Sequence, residues 1–216
     1  MLISRKHNFI FIHIYKNAGT SIQNALLPFV ANRYEKIINQ MLRSFDKDGN
    51  RFLSLYLPRA HHPVHFGASE LIHEIGRDAF DSYFSFAIVR NPWDWQVSLF
   101  KYMLREPRHF QHGLIKELGS FDKYIEWRCA KDVRFQKDFV CSKDGDLLVD
   151  FVGRYENLNT DFEKICSRIG ISAILPKFNI SNTASYQQYY NKKTIDLVRR
   201  AFALDIQFFN YEYESL

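Results

Sequence analysis

The sequence has little cysteine and no long apolar run, and each shortage excludes a class of protein. Its three cysteines, Cys129, Cys141 and Cys166, are an odd number with no CxxC spacing, so neither a disulfide framework nor a zinc site is indicated. No apolar segment approaches the roughly 18 residues that a membrane span requires. The start of the chain also lacks the pattern of a signal peptide. These features predict a protein of a reducing compartment, and we expect it in the cytoplasm.

The excess of positive charge is small. Lysine and arginine number 29 against 24 aspartate and glutamate, which gives a net charge of +5 and a pI near 9.0. Such a balance suits anionic ligands but does not require nucleic acid. A hydrophobic content of 46% over 216 residues is enough for one sizeable core. We therefore expect a single domain over residues 1–216.

Short apolar runs alternate with helical patterns along the chain. The runs "NFIFIHI" (8–14) and "YFSFAIVR" (83–90) are rich in Phe, Ile and Val, which is typical of strands buried on both faces of a parallel sheet. A helical pattern follows each run, and "LLVDFVGRYE" (147–156) predicts a third strand. The alternation predicts an α/β domain in three layers, with helices flanking a mainly parallel sheet in a P-loop-like arrangement.

Three further helices are expected from caps and spacing. One begins at Gly67 or Ser69 and ends near Gly76. Another runs from about Thr160 to Gly170. The third runs from about Lys192 to Leu204 with Thr194 as its cap.

The turn after the first predicted strand reads "KNAGTS", residues 16–21. Backbone amides at a helix start, together with the helix dipole, bind anions. Gly19 permits close approach, and Lys16, Thr20 and Ser21 add side-chain donors. A nucleotide-triphosphatase P-loop would instead place its lysine directly after the last glycine. From the pattern alone, a well-capped connection without a ligand is an equally good interpretation.

The second predicted strand ends in Arg90, where a Walker-type nucleotidase would place a magnesium-binding aspartate. An arginine offers a bidentate fork to phosphate, so this position favours a phosphate bound without metal. Ser98 lies two turns further on and would donate to a nucleotide lying along the helix. The alternatives are an ion pair between Arg90 and Asp94 and an ordinary helix serine.

These segments resemble the carbohydrate-type sulfotransferases, the family 2-like enzymes that use 3′-phosphoadenosine 5′-phosphosulfate (PAPS). In that family a K-x-[AG]-[GS]-T-S turn wraps the 5′-phosphosulfate and an hhVRNPxxRxxSxY segment holds the 3′-phosphate; here they read "YKNAGTS" and "AIVRNPWDWQVSLF". The likeness continues through "VGRYENLNTDFEKICSRIGI" and "LPKFNIS" to "YYNKKTIDLVRRAFALDIQFFNYEYE" near the end of the chain. The departures are Gln96 for a frequent arginine, Phe100 for a frequent tyrosine, and Asn210 for a usual glycine.

The resemblance implies a PAPS-dependent sulfotransferase that needs no metal, with 3′-phosphoadenosine 5′-phosphate (PAP) as product. Its acceptor would carry a free hydroxyl, as a carbohydrate or glycan does, and nucleic acid is not expected as a partner. Lys16 would stabilise charge on the departing phosphate. The implied nucleotide-binding residues are Lys16, Asn17, Ala18, Gly19, Thr20, Ser21, Arg90 and Ser98.

Histidine is the expected general base for the acceptor hydroxyl. The segment "VHFGASELIHEIG" aligns His65 with the family's candidate base, although Gly67 stands where the family has a threonine. His62 is the next candidate, and a carboxylate or no base at all stays open. His13, inside the first strand, is interpreted as a packing or supporting residue.

Two other functions remain as alternatives. A P-loop-type kinase or nucleotidase would show magnesium dependence, and a non-catalytic module for nucleic acid or another polyanion would bind with a steep salt dependence. Segments 31–60 and 105–145 are expected to line the acceptor site, and their basic residues suggest an acidic sugar or another anion. Acceptor identity, the residues that contact adenine and the oligomeric state stay open.

Overall fold

The computed structural model describes residues 1–30, 66–176 and 185–214. Their strands form one sheet in the order β1-β2-β3-β4. The strands are β1 (Leu2–Ser4), β2 (Phe9–Ile12), β3 (Phe84–Val89) and β4 (Phe151–Arg154). β1 and β2 pair antiparallel, and the other two pairs are parallel. The predicted α/β class with a mainly parallel sheet is confirmed.

The parallel strands are built from the expected apolar runs. All four residues of β2 are buried, as are five of the six in β3, because both faces of such a strand are covered. Ile12 pairs with Ala87 and Val89 pairs with Arg154. The carboxyl ends of the three parallel strands therefore meet at one edge of the sheet, which is where ligands of open α/β sheets bind.

Helices follow the strands in the described residues. They are α1 (Gly19–Val30), α2 (Ala68–Ile75), α3 (Arg77–Asp81), α4 (Pro92–Arg105), α5 (His112–Leu118), α6 (Phe121–Lys131), α7 (Leu158–Arg168), α8 (Lys192–Ala201) and α9 (Ala203–Phe208). Single-turn 3-10 helices lie at Lys137–Phe139, Tyr155–Asn157 and Tyr186–Tyr189.

Two sequence-based expectations about the helices need correction. Asn191, not Thr194, is the N-cap of α8: its side chain accepts from the Thr194 N–H, and the Thr194 hydroxyl accepts from the Asn191 N–H in a reciprocal capping box. The helix expected to run on to Leu204 ends instead at Ala201, and α9 begins at Ala203. The strand expected over 147–156 is also shorter: β4 covers only Phe151–Arg154, and Leu147 forms an isolated bridge with Cys141 instead.

The described residues divide into two compact units. The first contains residues up to Val89 together with 138–176, and it holds the whole sheet. Its core packs Phe11 and Phe86 of the sheet against Leu26 of α1 and Ile165 of α7. The Phe11 and Phe86 rings stack at 5.2 Å between centroids. Each fully buried phenylalanine contributes about 1.5–3 kcal/mol of hydrophobic stabilisation.

The second unit contains residues 90–137 and 185–214. Its core is aromatic: Trp95 of α4 meets Phe202 edge-to-face at 6.5 Å, and Tyr124 of α6 packs against Phe100 at 5.2 Å. All four side chains are buried. The single domain expected over residues 1–216 stays a prediction.

Candidate functional site

The turn between β2 and α1 has a strained backbone. Lys16 and Ala18 have φ angles of 65° and 59°, whereas Asn17 between them does not have a positive φ. Residues with a Cβ rarely adopt this left-handed region, which costs roughly 1–3 kcal/mol per residue. Alternation of right- and left-handed residues turns successive N–H groups to one side and forms an anion-binding concavity. Backbone strain of this kind clusters at ligand-binding turns.

Asn17 ties this turn to the sheet. Its side chain is buried, and Nδ2 donates a hydrogen bond of 2.9 Å to the main-chain carbonyl of Ile88, near the carboxyl end of β3. Since β2 and β3 are adjacent parallel strands, this bond joins the turn after one strand to the end of the next. The expected anion-binding residue Asn17 thus has a structural contact of its own.

The helix that follows the turn begins at Gly19, with no acidic side chain in its first turn. Its first helical bond runs from the Ile22 N–H to the Ala18 carbonyl at 3.1 Å, and the N–H groups of the first turn have no acceptor within the helix. Thr20 is exposed and Ser21 half-buried. The helix start therefore presents amide and hydroxyl donors together with the positive end of the helix dipole.

Gly19 packs against His13. A Cβ built on Gly19 would lie 1.8 Å from His13 Nε2, far inside van der Waals contact. The imidazole is buried and stacks on Phe11 at 5.8 Å. His13 therefore supports the turn from beneath, in agreement with the packing role expected for it.

Arg90 lies in the second unit, directly after β3 in the chain. Its Nε and the Asp94 Oδ2 form an ion pair of 2.7 Å, with side-chain exposures of 13% and 21%. The ion pair given as the alternative interpretation of Arg90 is thus present, and it orients the guanidinium. Asn91 then caps α4 by accepting from the Trp93 N–H at 3.1 Å. Ser98 is half-buried within the same helix.

Gln136 is a residue that sequence reasoning missed. Its side-chain amide binds both the N–H and the carbonyl of Arg90, at 2.9 and 2.8 Å. A lone glutamine in a loop carries no motif, so nothing in the sequence indicated this contact. The contact holds the backbone of Arg90, the residue expected to bind a phosphate.

The two tryptophans of α4 pack rather than line an open surface. Trp93 and Trp95 are 1% and 0% exposed. Trp93 Nε1 donates to the Ile195 carbonyl at 3.2 Å, and the Trp95 ring meets Phe202. These contacts favour core packing over stacking on adenine.

The thiol of Cys129 is not activated by its surroundings. All three cysteines are free. Burial raises the pKa of the Cys129 thiol to about 11, although the charge of Arg128 opposes the shift. Cys129 is therefore protonated at neutral pH and a poor nucleophile.

None of the helices in residues 1–30, 66–176 and 185–214 is long and apolar enough to cross a membrane. Across that part of the chain, no three or more His, Cys, Asp or Glu side chains are grouped so that they would hold a metal ion.

A family model described as the sulfotransferase family matches residues 1–212. The chain belongs to the sulfotransferase family. It is also similar to an uncharacterized protein of Archaeoglobus fulgidus, with 31% identity over 98 residues that cover 45% of this chain and 76% of the relative. The resemblance seen in the turn and in the "VRNP" segment is thereby confirmed at the level of the family.

The departures of this sulfotransferase from the family pattern have local explanations. Gln96 is fully buried, and its Oε1 accepts a 2.9 Å hydrogen bond from the Tyr124 hydroxyl. A charged arginine there would carry a larger desolvation cost than the neutral amide, whose Nε2 is itself buried without a hydrogen-bond partner among the described residues. Phe100, where a tyrosine is frequent, packs between the rings of Phe121 and Tyr124 at 5.3 and 5.2 Å, a setting that suits an apolar ring.

Gly67, in place of the family's threonine, also has a packing reason. It is the N-cap of α2, and a Cβ there would come within 2.5 Å of Glu70 Oε2 and 3.3 Å of the Phe139 backbone. Threonine would require this sulfotransferase to move the backbone at Phe139. His65 and His62, the candidate bases, lie outside the described residues, as do residues 31–60 of the expected acceptor site.

Arg154 and Tyr155 have structural contacts. The Arg154 N–H donates to Asp161 Oδ2 at 2.8 Å, and Lys164 pairs with the other oxygen of that carboxylate at 2.8 Å. Tyr155 packs against the core of the first unit. These contacts give both residues a role in joining β4 to α7 within this sulfotransferase.

Proposed function

We propose that this sulfotransferase moves a sulfuryl group from PAPS to a hydroxyl of an acceptor, with a carbohydrate or glycan as the acceptor class. The observation that carries the proposal is the strained turn of Lys16 and Ala18 at the start of α1. A left-handed lysine and alanine are retained at a cost in stability, and binding of an anion by the turn is a reason to retain them.

The residues of the turn fit a phosphosulfate group. The first-turn N–H groups of α1, with the hydroxyls of Thr20 and Ser21, are hydrogen-bond donors suited to an anion. Gly19 leaves the helix start without a side chain. We assign the 5′ end of the nucleotide to Lys16, Asn17, Ala18, Gly19, Thr20 and Ser21.

The 3′-phosphate is assigned to Arg90 and Ser98. An arginine binds phosphate through two N–H groups at once. The ion pair with Asp94 restrains the Arg90 guanidinium, which lowers the conformational entropy that binding would cost. Ser98 supplies a hydroxyl from the same helix. The proposal includes a single three-layer, P-loop-like domain for the whole chain.

When bound, PAPS supplies the activated sulfuryl group, and PAP leaves once the acceptor oxygen has formed its bond to sulfur and the bond from sulfur to the phosphate oxygen has broken. Lys16 stabilises the charge that develops on the departing phosphate. His65 takes the proton of the acceptor hydroxyl. Lys16 and His65 are thus given separate tasks, one at the leaving group and one at the acceptor.

Three assays distinguish the rival functions, namely sulfuryl transfer from PAPS, phosphate transfer from ATP and binding of nucleic acid. The protein is mixed with PAPS labelled in its sulfuryl group and with a panel of glycans, lipids and phenols, with and without EDTA. We expect label on a glycan and full turnover in EDTA, because Arg90 occupies the place of a magnesium-binding aspartate. Transfer of phosphate from ATP that requires magnesium would favour a kinase. Affinity for nucleic acid with a steep salt slope and no turnover would favour a binding module.

A further inference from the structure

Both polar groups of the Arg90 main chain are bound by one side chain. Gln136 Oε1 accepts from the Arg90 N–H at 2.9 Å, and Gln136 Nε2 donates to the Arg90 carbonyl at 2.8 Å. A glutamine amide carries an acceptor and a donor side by side, so it pairs with this residue much as a neighbouring strand would. Gln136 is fully buried, and water does not compete for these two bonds.

Gln136 is held in place by the next layer of the second unit. Its own N–H donates to Asp205 Oδ2 at 2.8 Å, and the N–H of Lys137 donates to Asp205 Oδ1 at 3.0 Å. Asp205 lies on α9 and is fully buried. A carboxylate that accepts two backbone N–H groups makes charge-assisted bonds. The position of Gln136 is therefore determined by α9.

The side chain of Arg90 is restrained separately, by Asp94. One contact holds the backbone of Arg90 and another holds its guanidinium. A phosphate-binding arginine gains affinity from such restraint because less freedom is lost when the ligand binds.

We propose that Gln136 is a positioning residue for Arg90 and that, with Asp205 behind it, it sets the recognition of the 3′-phosphate. This inference rests on the proposed function, in which Arg90 binds that phosphate. In this proposal Gln136 acts on the nucleotide through Arg90. Its loss should therefore weaken ligands that carry a 3′-phosphate and leave ligands without one unaffected.

The test compares PAP with adenosine 5′-phosphate (AMP), which lacks the 3′-phosphate. Gln136→Met removes both hydrogen bonds at nearly constant side-chain volume. Calorimetry should show the Kd for PAP rising roughly twofold to tenfold, the range for one side chain whose freedom is lost on binding, with the Kd for AMP unchanged. The KM for PAPS should rise likewise, with kcat retained at saturation.

Four further variants complete the design. Gln96→Met is the matched control, since Gln96 is an equally buried glutamine of the same unit whose amide binds Tyr124; its ratio of PAP to AMP affinity should stay at the wild-type value. Gln136→Glu keeps the shape and the acceptor for the Arg90 N–H but loses the donor to the Arg90 carbonyl, so it should lower the ratio too. If a thermal scan shows that Gln136→Met does not fold, the PAP and AMP affinities of Gln136→Glu provide the test instead. In Arg90→Ala, adding Gln136→Met should weaken PAP no further.

The outcomes separate the inference from the proposed function. Unchanged PAP affinity in Arg90→Ala would overturn the assignment of the 3′-phosphate to Arg90, which is part of the proposed function. If Arg90→Ala weakens PAP while the Gln136 variants bind it normally, or weaken PAP and AMP equally, the positioning role is wrong and the phosphate assignment stands.

Discussion

The imidazole of His13 occupies the space that a side chain on residue 19 would need, since a Cβ there would lie 1.8 Å from Nε2. Gly19 belongs to α1 and has no positive φ. The requirement for glycine therefore comes from the close approach of a ring and not from a left-handed backbone. His13 and Gly19 together define the floor of the turn that we assign to the 5′ end of PAPS.

Gly19→Ala should destabilise the protein and weaken PAP binding, because the added methyl group must displace the buried ring. Overpacking of this kind costs about 1–3 kcal/mol, measurable by urea denaturation. His13→Ala in the same chain should recover part of the loss, giving a favourable coupling energy in a double-mutant cycle. Gly113→Ala is the control, because a Cβ there meets nothing within 4 Å. A Gly19→Ala protein with wild-type stability and PAP affinity would refute the close contact.

Lys16→Ala should lower kcat by about 10²- to 10³-fold, as expected when a charge-stabilising donor is removed, and should also weaken PAP. Alanine keeps a Cβ, so the left-handed backbone at residue 16 carries similar strain in both proteins. Lys6→Ala removes an exposed lysine and should leave both quantities at their wild-type values. Steady-state kinetics and calorimetry are the measurements. If Lys16→Ala retains its turnover, Lys16 does not stabilise the departing phosphate.

His65→Ala should leave PAP affinity near that of the wild type while turnover falls by roughly 10²- to 10⁴-fold, the range for a lost general base. The residual rate should rise with pH, because the acceptor hydroxyl then ionises without assistance. A pH–rate profile with parallel PAP titrations provides the check. If the variant keeps most of its activity, or loses PAP as severely as Lys16→Ala, His62 or a carboxylate becomes the next candidate.

Asp132 should make stability depend on pH in the acid range. Burial alone raises the pKa of its carboxyl, but the hydrogen bond from Gln111 and the charges of Arg128 and Arg134 outweigh burial and hold the pKa below its usual range. A lowered folded-state pKa stabilises the protein above the unfolded value of about 3.9, and this contribution is lost as the pH falls through the folded pKa.

Asp132→Asn should therefore cost about 3 kcal/mol of unfolding free energy at neutral pH, because it leaves the buried Arg128 without its ion-pair partner. The difference from wild type should shrink below about pH 4. Arg134→Ala is the matched control: Arg134 pairs with the same carboxylate but is 57% exposed, so its loss should cost no more than about 1 kcal/mol. Urea denaturation from about pH 3 to pH 7 measures both. An Asp132→Asn deficit that stays constant across this range would contradict the linkage.

The parts of the fold that were predicted correctly are those where composition alone limits the conformation. β2 consists of Phe and Ile, β3 is apolar except for Ser85, and α4 begins with Pro92 at its first turn, which is a favourable position for proline. β1 was not predicted because its three residues are too few to show an alternation of apolar and polar side chains. α6 was missed because Arg128 interrupts its buried stripe, and a buried arginine looks like a surface residue in the sequence.

The candidate site divides in the same way. Lys16, Gly19 and Arg90 stood out because their types and spacing match a motif. The left-handed φ of Ala18 did not, since alanine carries no signal for it. Gln136 and Asp205 are 69 positions apart, and nothing local relates them. Local sequence patterns cannot predict a contact that forms only through tertiary packing.

The second unit is assembled from two separated stretches, and this has a consequence for the timing of biosynthesis. Asp205 is translated 115 codons after Arg90, which at typical ribosome speeds of about 5–20 residues per second is a delay of roughly 6–23 s. The last strand of the sheet, β4, is complete at Arg154 and is already made by then, but Gln136 still lacks the carboxylate that holds its N–H. Under the proposed function, a nascent chain should therefore complete its recognition of the 3′-phosphate as one of its last steps, and release from the ribosome short of α9 would yield a protein with its sheet complete and a weaker affinity for that phosphate.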